Sequence, residues 1–340
     1  MTGWSETRAG AAAFQDTPLP LDAEDAPPAG GITRPVPWFG AKAKMGPKYI
    51  VPEMGEHRNY IEPFCGSCAV LFAKPQVAYE TVNDLHGDLT HLLRCLQDEA
   101  TALWLYGQLA RTCMAEGILL DARAIVASGP PPAMGEPIDR FRAAAYLTQS
   151  WMMRNGMAGT DMRKCGEKPG PEISLRFNIS GGSPTVRWVS MVESIPAWHL
   201  RLRSVMVLQR DAFKIIDQLD DEEGLVLYLD PPYLPDTRSG LKGPGTRAAY
   251  LHEFEASGAG IFGNIDDHTR LADALCRFKH ARVIVSYYAH PRLAELYPGW
   301  TVKDCAQNKN MSNCTGRGER DSKSPEVLLI NGPSYTEGAA

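Results

Sequence analysis

Short strand-like runs that end at an aspartate constrain the fold of this chain more than any other feature. These runs are residues 80–83 before Asp84, residues 205–209 near Asp211 and residues 225–229 before Asp230. Similar runs at 60–62, 282–286 and 326–330 alternate with helical patterns. Short apolar runs separated by helices are typical of a parallel sheet buried on both faces. We therefore predict an α/β fold with a doubly wound, mostly parallel sheet, whose ligands bind beyond the carboxyl ends of the strands.

The chain of 340 residues is long enough for one large α/β domain with a smaller domain inserted into it. Residues 1–33 are rich in Ala, Gly and Pro and are predicted to be a disordered tail, and residues 334–340 form a second tail. Residues 94–202 begin with helical patterns and continue into a Gly-rich, basic segment. We predict that they form an inserted, mainly helical subdomain, and that residues 34–93 and 203–333 form the catalytic domain.

Charge and composition exclude few classes of function. The net charge of −5 is a weak argument against nucleic-acid binding, but only local charge touches a ligand. Between Arg154 and Arg187 there are six basic residues against three acidic ones, which suits phosphate contacts. No segment is long and apolar enough for a membrane span. The eight cysteines are scattered, so we expect a reduced, cytoplasmic location and no metal site. Because no apolar segment is long enough to span a bilayer, we also expect no membrane association.

The tetrapeptide Asp230-Pro231-Pro232-Tyr233 is the strongest chemical signal in the chain. A carboxylate follows an apolar strand, and two prolines then remove N–H donors and restrict the backbone. A rigid set of acceptors beside an aromatic face suits a planar ring that carries an amino group. Hydrogen bonds accepted from both amine protons would localise the nitrogen lone pair and make it a nucleophile. We predict that these four residues are catalytic.

The tetrapeptide and the motifs around it resemble the Dam-type DNA adenine-N6 methyltransferases over roughly residues 35–331. Residues 38–42 resemble the family's opening signature, and residues 60–70 its Glu-Pro-Phe-x-Gly-x-Gly turn. The resemblance implies S-adenosylmethionine as cofactor, with Asp84 at its ribose and Asp211 at its adenine. The predicted cofactor-binding residues are Trp38, Phe39, Gly40, Lys42, Glu62, Pro63, Phe64, Gly66, Ser67, Asp84, Asp211 and Asp230.

Two residues depart from the family pattern in this region. Ala41 and Cys68 replace glycines, and a cysteine at 68 would be strained if the turn requires a positive φ there. Cys65 and Cys68 form a Cys-x-x-Cys, which we interpret as coincidence rather than as a metal or redox site.

The resemblance further implies a Rossmann-like methyltransferase fold. It also implies an enzyme that flips an adenine out of double-stranded DNA and methylates its amine. Residues 151–156 resemble the start of the family's target-recognition region. The candidate DNA-binding residues are Arg154, Asn155, Arg163 and Lys164. A cognate restriction enzyme is possible, although the sequence does not imply one, and the oligomeric state stays open.

Several alternatives stay open at this point. The chain could be a cytosine-N4 methyltransferase, an RNA methyltransferase, or a non-catalytic binding module, for which Ala41 and Cys68 are the only support. A nicotinamide-dependent dehydrogenase is disfavoured because the turn lacks G-x-G-x-x-G. Asp84 and Asp211 could instead be helix N-caps. The Gly-rich segment 234–264 is either a lid or a surface loop.

Overall fold

The computed structural model describes residues 32–38, 40–153, 173, 183–234, 265–305, 307–308, 323–324 and 326–336. The predicted tail at 1–33 lies almost wholly outside these ranges, as does the Gly-rich segment after residue 234. The predicted catalytic tetrapeptide and most of the predicted cofactor-binding residues lie inside them.

The described strands form a mixed sheet of seven strands and a separate two-stranded ribbon. The seven are ordered β3-β2-β1-β4-β5-β9-β6, and the ribbon pairs β7 with β8. Their bounds are β1 Asn59–Glu62, β2 Tyr79–Asn83, β3 Val205–Leu208, β4 Leu225–Leu229, β5 Arg282–Tyr288, β6 Thr301–Asp304, β7 Gln307–Asn308, β8 Lys323–Ser324 and β9 Glu326–Ile330. The first five strands of the order are parallel, and β9 runs antiparallel to both β5 and β6. The predicted α/β class with a mostly parallel sheet is confirmed.

Helices surround this sheet on both faces. A π-helical turn at Gly46–Ile50 and a 3-10 turn at Val51–Glu53 precede β1. The α-helices are α1 Ala69–Ala73, α2 Gly87–Gln97, α3 Glu99–Ala110, α4 Glu116–Ala127, α5 Arg140–Met152, α6 Pro184–Glu193, α7 Ile195–Leu202, α8 Ala212–Ile216, α9 Ile265–Cys276 and α10 Leu293–Leu296. None of the helices within the described ranges is both long and apolar enough to cross a membrane.

Alternate side chains of the central strands enter two different cores. Tyr60 of β1 and Tyr228 of β4 pack into one hydrophobic cluster, whereas their neighbours Ile61 and Leu227 pack into another. Successive strand residues point to opposite faces of a sheet, so this sheet is buried on both faces, as the continuously apolar runs indicate. Helices α2 to α7 contribute to the first cluster together with β1 and β2. The predicted inserted subdomain, whose boundaries stay a prediction, therefore shares part of its core with the sheet.

The order of the strands reverses between β1 and β4. The chain passes from β1 outward to β2 and β3 and then returns to the other side of β1 with β4 and β5. Ile61 pairs with Leu227, so the carboxyl ends of β1 and β4 lie side by side. Open α/β sheets bind ligands at such a switch point. Glu62 ends β1 and Asp230 follows β4, which places two predicted site residues at this crevice.

A buried carboxylate, Glu53, fastens the end of the described chain to the sheet. Its oxygens accept hydrogen bonds from Lys303 Nζ at 2.5 Å, Thr336 Oγ1 at 2.6 Å, Ser334 Oγ at 2.7 Å and the Tyr335 N–H at 2.8 Å. The side chain of Glu53 is 0% exposed. Residues 334–336, predicted as the start of a tail, are therefore bound to the catalytic domain.

Replacing Glu53 with glutamine is expected to destabilise the protein by about 3 kcal/mol at neutral pH, because it breaks a buried ion pair. Burial alone would raise the pKa of the Glu53 carboxyl, but its hydrogen bonds lower the pKa from 4.5 to about 2. A carboxyl with a lowered folded-state pKa stabilises above its unfolded pKa and loses this contribution as the pH falls. The difference from wild type should therefore shrink between about pH 4.5 and 2.

Urea unfolding of both proteins between pH 7 and pH 3 measures this difference, and the exposed Glu295→Gln provides the control. A difference below about 1 kcal/mol at pH 7, or one that widens on acidification, would contradict the prediction.

Candidate active site

The carboxylate of Asp230 is oriented on both sides and still reaches solvent. Lys42 Nζ donates to Oδ2 at 2.8 Å, and Ser286 Oγ donates to Oδ1 at 3.3 Å. Ser286 lies on β5, the neighbour of β4, and also shares a hydrogen bond of 2.7 Å with the buried hydroxyl of Tyr228. The side chain of Asp230 is 22% exposed. The arrangement leaves a pre-oriented acceptor at the mouth of the crevice.

Lys42 provides the positive charge of this site. Its side chain is 4% exposed, and besides Asp230 its ammonium donates to the Gly40 carbonyl at 2.7 Å and lies 3.6 Å from Glu326 Oε1. Burial alone would lower the pKa of Lys42, but the carboxylates of Asp230 and Glu326 raise it above its ordinary value. Lys42 was predicted as a cofactor-binding residue, and the structure brings its charge to Asp230, the predicted catalytic carboxylate.

The ring of Tyr233 lies in an aromatic corner beside Asp230. The edge of Tyr288 meets it with ring centroids 4.4 Å apart at an interplanar angle of 66°. Its hydroxyl donates to Glu326 Oε1 at 3.2 Å, and Lys42 Nζ lies 5.2 Å from the ring centroid. Pro231 is buried and Pro232 half-buried between the two functional side chains of the tetrapeptide. The four predicted catalytic residues thus lie together directly after β4.

The glycine turn after β1 takes left-handed conformations at Gly66 and Cys68, which is the condition under which a cysteine at 68 is expected to be strained. Gly66 has a φ of 45°, and a Cβ there would meet Trp38 Nε1 at 2.9 Å. Cys68 has a φ of 55° and is the one non-glycine residue with positive φ in the described part of the chain. This conformation costs a residue with a Cβ about 1–2 kcal/mol. Cys68 is therefore strained where the family has glycine.

Asp84 supports this turn from the end of β2. Its Oδ2 accepts from the Gly66 N–H and its Oδ1 from the His86 N–H, both at 2.9 Å. The alternative that Asp84 is a helix N-cap is wrong, since His86 caps α2 by accepting from the Leu89 N–H. Each oxygen of Asp84 keeps a further lone pair, because a carboxylate has about four acceptor sites.

Asp211 caps a helix, which confirms the alternative prediction that it is an N-cap. Its Oδ1 accepts from the Phe213 N–H at 2.8 Å at the start of α8. A cap occupies one oxygen of the carboxylate, so this finding leaves the predicted contact with the cofactor adenine as a prediction.

The remaining cofactor-binding candidates lie at the end of β1 and in the turn that follows it. Glu62 is 2% exposed and accepts from the Tyr60 hydroxyl at 2.9 Å. Burial raises the pKa of Glu62 to about 8 despite this hydrogen bond. Ser67 is buried, and Phe64 packs against the second hydrophobic cluster.

Three side chains that assemble this region were not predicted from the sequence. Asn83 is 1% exposed, and its amide donates to the carbonyls of Pro63 and Arg210, both at 2.9 Å. It thereby joins the glycine turn to the loop that carries Asp211, and its position beside Asp84 at a strand end is the signal that could have revealed it. Ser286 and Glu326 lie inside predicted strands, where no local pattern shows which side chains face the site.

Some predictions fall outside the described residues. These are Phe39 and the candidate DNA-binding residues Arg154, Asn155, Arg163 and Lys164. The Cys-x-x-Cys formed by Cys65 and Cys68 lies within the described residues. Both thiols are buried, and burial contributes to raising the pKa of each, which makes them poor nucleophiles. No cluster of three or more His, Cys, Asp or Glu side chains suited to a metal occurs among the described residues.

Comparison with known proteins addresses the resemblance directly. Residues 38–112, which contain the opening signature, the glycine turn and Asp84, match the family described as D12 class N6 adenine-specific DNA methyltransferase. The predicted resemblance to adenine-N6 DNA methyltransferases is confirmed. The match supports an enzyme that methylates adenine N6 in DNA, as predicted, and such a family requires a methyl donor.

A curated relative supports the assignment over most of the chain. The Type II methyltransferase M1.LlaDCHI of Lactococcus lactis subsp. cremoris is 25% identical over 303 residues. The alignment covers 86% of this chain and 93% of the relative. An alignment of this length includes the region of the Asp230 tetrapeptide and most of the segment that the family match covers.

Proposed function

We propose that this D12-like methyltransferase transfers a methyl group from S-adenosylmethionine to the exocyclic amine of an adenine flipped out of double-stranded DNA. The observation that carries the proposal is the assembly at the switch point: a Lys42-paired Asp230 beside the ring of Tyr233. The relative is named a Type II methyltransferase, so a role beside a restriction endonuclease is part of the proposal.

The residues present fit S-adenosylmethionine. Asp84 is only partly buried at the end of β2 and keeps free lone pairs for ribose hydroxyls. The turn at Gly66 has no side chain, which permits close approach of a ligand to the backbone. Trp38, half-buried against the turn, offers an aromatic surface. When bound, the cofactor supplies an electrophilic methyl group.

The chain's own residues would orient and activate the amine. An aromatic amine is a poor nucleophile, because its lone pair is delocalised into the ring. The Asp230 carboxylate and a carbonyl of the proline pair can accept hydrogen bonds from its two N–H groups, which localises the lone pair on nitrogen. Tyr233 offers its ring for stacking on the flipped base. Lys42 keeps Asp230 in place without occupying both of its oxygens.

The test of this proposal is identification of the methylated base. Purified protein is incubated with duplex DNA and S-adenosylmethionine, and the digested nucleosides are analysed by mass spectrometry. N6-methyladenine is the expected product. Product seen only as N4-methylcytosine, or only on RNA, would refute the substrate assignment. Single-molecule sequencing of DNA from expressing cells would then report the target site.

Asp84→Ala is expected to weaken S-adenosylmethionine binding by about 10- to 100-fold, the loss typical of hydrogen bonds to a charged group. The change removes the proposed ribose acceptor and also the acceptor that supports the Gly66 N–H. Isothermal titration calorimetry measures the affinity. Asp121→Ala, which alters an exposed acid on α4, is the matched control. An unchanged affinity would show that Asp84 has no part in cofactor binding.

A further inference from the structure

Glu326, the first residue of β9, connects two parts of the site that lie far apart in the chain. Its Oε1 accepts from the Tyr233 hydroxyl at 3.2 Å and lies 3.6 Å from Lys42 Nζ. The side chain is 13% exposed, so these contacts form in a largely dehydrated environment. Electrostatic contacts are stronger there than in water.

The antiparallel placement of β9 brings this carboxylate to the site. Glu326 pairs with Tyr288 of β5, whose ring packs edge-on against Tyr233. The ring of Tyr233 is thus contacted along its side by Tyr288 and bound at its hydroxyl by Glu326. Two such contacts restrict both side-chain torsions of a tyrosine, and an aromatic surface held in advance loses less entropy when a base stacks on it.

Glu326 also affects the charge of the cluster. With Asp230 and Lys42 it forms a group of two carboxylates and one ammonium. Two carboxylates against one ammonium give this cluster a formal net negative charge beside the proposed position of the amine, on which positive charge develops as the methyl group is transferred. Fixed charge of the opposite sign stabilises such a transition state.

We propose that Glu326 is a positioning residue for methyl transfer, which acts by holding the ring of Tyr233 and by keeping Lys42 beside Asp230. The inference rests on the proposed function, since it assigns Glu326 a part in the same reaction. The side chain of Glu326 contacts Tyr233 and Lys42, so its influence passes through these two residues.

The test compares Glu326→Gln with wild type in steady-state kinetics and cofactor titration. We expect kcat to fall by about 10- to 100-fold, as for the loss of a charged hydrogen bond. The Kd for S-adenosylmethionine should stay within about twofold, because the side chain of Glu326 contacts Tyr233 and Lys42 rather than Asp84 or Gly66. Glu295→Gln, an exposed glutamate that is 78% accessible, is the matched control and should behave as wild type.

A second variant tests the hydrogen bond between Glu326 and the Tyr233 hydroxyl by itself. Tyr233→Phe keeps the aromatic face and removes only the hydroxyl that Glu326 binds. We expect it to lower kcat by about tenfold and to make the double variant no worse than the more impaired single variant. A DNA duplex with 2-aminopurine at the target position reports stacking of the flipped base, and both variants should show brighter fluorescence than wild type.

The outcomes separate this inference from the proposed function. Wild-type protein that yields no N6-methyladenine would overturn both. Active wild type with a Glu326→Gln kcat within about twofold would overturn only the role of Glu326. If Glu326→Gln does not fold, Tyr233→Phe decides alone, and an unchanged kcat in that variant would refute the inference. If the fold-losses in kcat of the two single variants multiply in the double variant, the inference is also refuted, because multiplication shows that Glu326 and the Tyr233 hydroxyl act independently.

Discussion

Replacing Asp230 with alanine should lower kcat for methyl transfer by about 10³-fold, the upper range for removal of one preorganised electrostatic group. The carboxylate is bound by Lys42 at 2.8 Å and Ser286 at 3.3 Å, so it is oriented before a substrate arrives. Its removal takes away both the acceptor for the amine and the partner of the buried ammonium. Transfer of a labelled methyl group to duplex DNA, at saturating cofactor, measures the loss.

Controls for this experiment separate chemistry from folding. Asp220→Ala removes an exposed acid shortly before β4 and should retain wild-type activity. Asp230→Asn keeps the size of the side chain, and it should be nearly as inactive as Asp230→Ala because its amide presents a donor to Lys42. Thermal unfolding of each variant checks the fold. Activity within about tenfold of wild type in Asp230→Ala would remove Asp230 from the proposed mechanism.

Replacing Lys42 with methionine is expected to lower kcat by about 10²-fold, the second largest effect on activity. The ammonium lies within 3.6 Å of both Asp230 and Glu326. Without it the two carboxylates repel each other in a partly buried site, so Asp230 gains protons or changes position. Either change impairs the acceptor of the target amine. Lys44→Met, an exposed lysine two residues away, is the matched control.

Two measurements on Lys42→Met distinguish its possible roles. If Lys42 acts through Asp230, kcat at saturating S-adenosylmethionine falls and the Kd for the cofactor changes little. If its part is mainly in cofactor binding, as the family resemblance implies, the Kd rises and kcat at saturation is retained. The structure favours the first outcome, because the ammonium contacts two carboxylates and the Gly40 carbonyl.

The strands illustrate how far sequence patterns reach. The six predicted runs correspond to strands β1, β2, β3, β4, β5 and β9, since a strand buried on both faces requires a continuous apolar run. Strand β6 was not predicted. It lies at the edge of the sheet, and only one of its four residues is buried. An edge strand needs no continuous apolar run, so the pattern that reveals a central strand is absent.

Of Asp84 and Asp211, the two site aspartates that could be helix N-caps, only Asp211 takes that role. Asp211 caps α8, as its position directly before the helix indicates. Asp84 does not cap α2, because His86 lies immediately before Gly87 and takes that role. Asp84 instead turns toward Gly66, eighteen residues earlier in the chain. A choice between two nearby cap candidates depends on where the helix begins, and sequence patterns locate helix ends only to within a few residues.

The sequence by itself determined the class of fold, the order of the motifs and the tetrapeptide at Asp230, because apolar periodicity and short motifs are local properties of a chain. Only the tertiary structure decided that Lys42 pairs with Asp230, 188 positions away, and that Glu326 reaches Tyr233, 93 positions away. Those contacts depend on which strands become neighbours at the switch point and on the antiparallel insertion of β9. Strand order is set by the packing of the whole sheet, so a local pattern carries no record of it.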